Sequence, residues 1–107
     1  METTKNQRRL LRELCAMAWE AEARAMLTRL EADFHRWRAQ VLDSGELIEA
    51  IHQFHQHDAR ELWNVYSLND KRIVAMRAIA RGFVRVEDIP EAIRPLLQFQ
   101  LDALGED

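Results

Sequence analysis

This sequence has little of what most functional motifs are made from. It contains one cysteine, Cys15, in 107 residues. A lone thiol closes no internal disulfide and cannot by itself hold a zinc ion. The expected compartment is therefore reducing, and the chain reads as cytoplasmic. Three glycines and two prolines leave little material for turns, so regular structure with short connections is expected. Valine and threonine are sparse, which disfavours sheets. No apolar run approaches the length of a membrane span, so no membrane association is expected. The basic N-terminal stretch is interrupted by Arg12 and Glu13 and does not read as a signal peptide.

Charge of one sign is also missing. The formal net charge is −3, which gives no global attraction to nucleic acid or to acidic membranes. No glycine-rich phosphate loop is present. Ser44, Ser67 and Cys15 lack a neighbouring base in the sequence, so no nucleophilic triad can be assembled. Glu20 and Glu22 read as surface charges rather than an acid/base pair. No catalytic and no cofactor-binding residue is assigned, and the chain reads as non-enzymatic.

What is present is helix-forming material. Hydrophobic residues make up 48% and charged residues 31% of the chain, a globular balance. Alanine, leucine, arginine and glutamate dominate, all strong helix formers. The expected fold is one all-α domain of four helices. Residues 4–42 contain neither glycine nor proline. Within them Leu27, Leu30, Phe34, Trp37 and Val41 are spaced as one helical stripe. Asp43-Ser44-Gly45-Glu46 reads as the first break, followed by a second helix over 46–66. So short a turn favours an antiparallel hairpin. Folding about Ser44 sets Trp37 against Ile51 and Phe34 against Phe54. A third helix is expected over 70–81, ended by Gly82, and a fourth over 95–104, after a short turn at 89–93.

Three residue groups could carry function. Glu49, His52 and His55 form a Glu-x-x-His pattern with a second imidazole one turn away. That spacing suits iron, zinc or manganese in a helical bundle, although further carboxylates would have to come from facing helices. The bland alternative is two solvated histidines and one at the core edge. His55 falls on the apolar stripe of the second helix and is expected to pair with Asp33 or Asp58. Lys71, Arg77, Arg81 and Arg85 form a basic stripe if the third helix runs on to 85. Such a stripe fits an acidic protein partner better than nucleic acid, because acidic residues 87, 88 and 91 follow it. The default reading is a solvated face, or one neutralised within the fold.

The third group is an interface. A second helix of some 21 residues is too short to cover residues 4–42. Leu11, Leu14, Ala18 and Trp19 are left over in this register, and an exposed apolar surface is costly. A homodimer joined through these residues is the expected solution, giving a protein that acts through protein–protein interaction.

Overall fold

The computed structural model describes residues 3–105, and their regular structure is all helical, with no strand among them. Helix α1 spans Lys5–Arg38. Its start is fixed by a capping box: Thr4 Oγ1 accepts from the Gln7 amide, and Gln7 Oε1 accepts from the Thr4 amide. Helix α2 spans Ser44–Gln53, a π-helical segment follows over Phe54–Ala59, and α3 spans Arg60–Leu68. Helix α4 spans Lys71–Ala80. Short 3₁₀ turns at Val86–Asp88 and Glu91–Leu97 lead into α5, Gln98–Gly105.

Helix α1 ends at Arg38, four residues before the limit of 42 that the sequence suggests. Gln40 takes a left-handed φ of 64°. The Gln40 amide donates to the Trp37 carbonyl at 3.0 Å and the Val41 amide to the Arg36 carbonyl at 2.8 Å. This is a Schellman ending, in which glycine usually occupies the left-handed position. Asp43 then caps α2, accepting from the Glu46 amide at 2.7 Å. Gly45 lies in the first turn of α2 and is not the break. Residues 39–43 therefore connect the two helices, and Ser44 opens α2. Trp37 Nε1 donates to Ser44 Oγ at 3.1 Å, and Tyr66 meets Glu22 far back along α1.

The core sits at the end of the molecule remote from this turn. Leu11, Leu14, Cys15 and Ala18 of α1 pack there against Val74, Ala75, Ala78 and Ile79 of α4. Ile89, Ile93, Leu96 and Leu97 close the cluster. Two side-chain bonds tie this C-terminal segment down: Gln7 Nε2 donates to the Ala92 carbonyl, and Arg72 Nε to the Leu96 carbonyl. Cys15 is buried, and its Sγ lies 3.3 Å from the Lys71 carbonyl. We call this end the head. The distal part of α1 and α2 form an arm, where Leu47 is the only buried side chain beyond Met26 until Leu62. The whole measures 54 × 30 × 17 Å. No helix among the described residues is long and apolar enough to cross a membrane.

Candidate functional site

The interface expected at Leu11, Leu14 and Ala18 is occupied within the chain. These residues are 5%, 2% and 0% exposed, because α4 and the 3₁₀ segments fold over the first half of α1. Trp19 alone of that group is open, at 46%. The surplus apolar surface lies instead along the arm. Leu27, Phe34, Ile48 and Ile51 are all exposed, as is Trp63 on α3.

Helical geometry puts these residues on one side. On α1, Met26 is buried and Leu30 and Asp33 are half-buried, which marks the flank turned to the returning helices. Leu27 and Phe34 lie about 80° further round at 100° per residue. On α2, Leu47 is buried and Ala50 and Phe54 are half-buried. Ile51 and Ile48 lie about 60° and 120° further round. The two rods run in opposite directions, so equal senses of rotation bring both sets to the same side. Trp63 follows buried Leu62 by one residue and joins them. Helix α4 covers the other side, where Arg29, Asp58 and Glu61 line a charged cleft with Arg77 and Arg81. A shallow groove of about 420 Å³ on α1 is lined by Leu27, Leu30 and Phe34 together with Glu31, His35 and Arg38.

A second arrangement was missed in the sequence. Glu22 is only 8% exposed. Arg77 grips it with two bonds, Nη1 to Oε1 at 2.8 Å and Nη2 to Oε2 at 3.0 Å. Tyr66 Oη donates to Oε1 at 2.9 Å. Burial pushes the Glu22 carboxyl up. The bonds from Arg77 and Tyr66 and the charges of Arg77 and Arg81 outweigh it, and the carboxyl is held below its ordinary range. Burial, with the Glu22 carboxylate behind it, pushes the Tyr66 phenol well above its usual range. Each partner satisfies the others, so the cluster clasps α1, α3 and α4 together and leaves neither oxygen of Glu22 free. The signal was there: Glu22 falls on the buried series Leu11, Cys15, Ala18, Glu22, Met26.

The basic stripe does not form. Arg77 is turned inward to Glu22, and α4 ends at Ala80 with Gly82 at φ 79°. Arg85 lies beyond the helix and pairs with Asp88 at 3.1 Å. Lys71 and Arg81 remain exposed on their own.

The histidines do not converge either. Glu49, His52 and His55 are all exposed, and Glu49 accepts from Gln53 Nε2 at 2.7 Å. Among the described residues no three His, Cys, Asp or Glu side chains gather closely enough to hold a metal ion. His55 is not on the core edge. The π turn absorbs one extra residue, so the inner face passes from Phe54 to Ala59 and Leu62 while 55–58 turn outward. Asp33 pairs with Arg36 at 3.4 Å rather than with His55.

No family model, curated protein or solved structure matches this chain.

Proposed function

We propose that this is a non-enzymatic helical protein that acts by protein–protein association, and that its working form is a homodimer. The antiparallel hairpin of α1 with α2 and α3 is the contact element, and its bare apolar side is the contact surface.

One observation carries this reading. Leu27, Phe34, Ile48, Ile51 and Trp63 are exposed together on one side of a thin molecule. Scattered surface apolar residues need no explanation, but a contiguous set rimmed by charge marks an interaction site. Domains are built from packed layers. Helix α4 supplies a second layer on one side of the hairpin only. A slab 17 Å thick has room for two helix layers and no third.

Sedimentation equilibrium tests the proposal. The unmodified chain is expected to be dimeric at micromolar concentration. Phe34→Asp combined with Ile51→Asp is expected to give a monomer with unchanged helical circular dichroism. An unmodified chain that stays monomeric at high concentration overturns the homodimer.

A further inference from the structure

We infer that the head carries an anion-binding cleft between α1 and the start of α4. It takes a small diphosphate ester, with the phosphates among Arg8, Arg12, Lys71 and Arg72 and the organic part against Trp19. The cleft lies off the bare side of the arm and does not depend on the homodimer.

Charge is the first argument. The chain is acidic overall, at −3, yet these four cations line one hollow of about 410 Å³ with a single carboxylate, Asp70. Its other lining residues, Thr3 and Leu11, are neutral, so the hollow carries +3. Among the described residues none of the four cations forms an ion pair, whereas Arg9, Arg24, Arg36, Arg77, Arg85 and Arg94 all do. Asp70 uses one oxygen to cap α4, accepting from the Arg72 amide at 2.8 Å. Like charges gathered in this way repel one another, and an anion bound among them removes the repulsion. Two of the guanidinium groups are already held in place. Arg8 Nη1 donates to the Thr3 carbonyl at 2.6 Å, and Arg72 Nε to the Leu96 carbonyl at 2.7 Å. Each keeps further N–H donors for a phosphate oxygen.

The shape extends the argument to the ligand's other end. Arg12 and Lys71 also line a second hollow of about 330 Å³, walled by Trp19 and Tyr66. On α1, Arg8, Arg12 and Trp19 fall within about 40° of arc, and Trp19 lies roughly 10 Å beyond Arg12. Cys15 lies on the same line, buried, with its Sγ 3.3 Å from the Lys71 carbonyl. The first residue of α4 therefore sits over the line from Arg12 to Trp19. Trp19 is 46% exposed, and an open indole face stacks flat rings whatever their substituents. The charge favours a diphosphate, because one phosphate monoester carries only about −2 at neutral pH. A polymer is disfavoured, because Glu20 and Arg24 pair with each other just past Trp19 and no basic track continues along α1.

Calorimetric titration at low ionic strength tests the cleft, with pyrophosphate and adenosine diphosphate as probes. Both are expected to bind, adenosine diphosphate about tenfold more tightly through its ring on Trp19. Arg12→Ala with Lys71→Ala removes two exposed cations and is expected to weaken both probes at least about tenfold with helical circular dichroism unchanged. If that variant loses helix, Lys71→Gln alone is read in the same way. Trp19→Ala is expected to lower adenosine diphosphate to the affinity of pyrophosphate and to leave pyrophosphate unchanged. Absence of binding by both probes at millimolar concentration overturns the inference, as does undiminished binding in the folded cation variants. Equal affinity of the two probes for the unmodified chain overturns the contact with Trp19. A single-stranded oligonucleotide that binds more tightly than adenosine diphosphate overturns the small-molecule reading. Phe34→Asp with Ile51→Asp is expected to bind pyrophosphate as the unmodified chain does, so failure of the homodimer and failure of the cleft are separate results.

Discussion

Glu22 shows how much one buried carboxylate can commit a fold to. It sits on the core series of α1, in a position where leucine would pack, and is stabilised only because Arg77 and Tyr66 reach it. Removing one partner of such a pair leaves a buried charge uncompensated, which costs about 3–5 kcal/mol, whereas replacing both with apolar residues is often neutral. Arg77→Met should therefore lower stability in urea unfolding by several kcal/mol, and Glu22→Leu with Arg77→Met should recover most of it. Equal loss in both variants would show that Arg77 acts through packing alone. The same cluster sets a pH dependence. Because the Glu22 carboxyl is held below its ordinary 4.5, its contribution is complete above that pH and is lost as pH falls through the folded value. Wild-type stability should decline there more steeply than that of Glu22→Gln. Sequence reasoning classed Glu22 together with Glu20 as a surface charge, in a segment where charges alternate with alanines. Its partners lie 44 and 55 positions away along the chain, and nothing local announces them.

Element boundaries were legible where a residue type enforces them. Gly82 ends α4 in a Schellman turn, with the Gly82 amide on the Ile79 carbonyl and the Phe83 amide on the Ala78 carbonyl. The sequence-based limits of 70–81 differ by one residue at each end from 71–80. The same turn ends α1, but with Gln40 in the left-handed position. Without glycine there the sequence carries no stop signal, and Val41 and Leu42 read as more stripe. The end of α1 was displaced as a result, to Arg38. The substitution that would have made the turn readable should also stabilise it: Gln40→Gly relieves a left-handed side chain at a cost of roughly 1 kcal/mol. A rise in Tm of a few degrees is expected, and a fall would mean that the Gln40 side chain contributes more than its backbone strain removes. The π segment hid in the same way. A one-residue insertion leaves both flanking apolar series intact, and only the outward turn of 55–58 reveals it. Deleting His57 should convert the segment to α-helix with Leu47 and Leu62 still inward, giving unchanged helicity by circular dichroism. A large loss of helix would show that the π turn is required for folding.

At the scale of the whole molecule, the main core lies in the head while Leu27, Phe34, Ile48 and Ile51 are bare along the arm, and this division has a measurable consequence. The main buried cluster joins α1, α3, α4 and the C-terminal turns in the head. The arm has Leu47 buried near its tip and apolar residues open along its bare side. Local stability follows buried apolar contact, so the arm of an isolated protomer should open at a lower free energy than the head. If the proposed dimer forms on this side, it covers the arm and stabilises it by mass action, while the head gains little. Amide exchange should then separate the two ends. In Phe34→Asp with Ile51→Asp, amides of residues 28–53 should exchange far faster than those of α4, independently of protein concentration. In the unmodified chain their protection should rise with concentration, by about tenfold for each hundredfold increase above the dissociation constant, because the free protomer fraction falls as the square root of concentration. Protection of α4 should change much less. Arm and head exchanging as one unit in the monomeric variant would mean that the arm is held by its own contacts. The apolar side would then be surplus to folding.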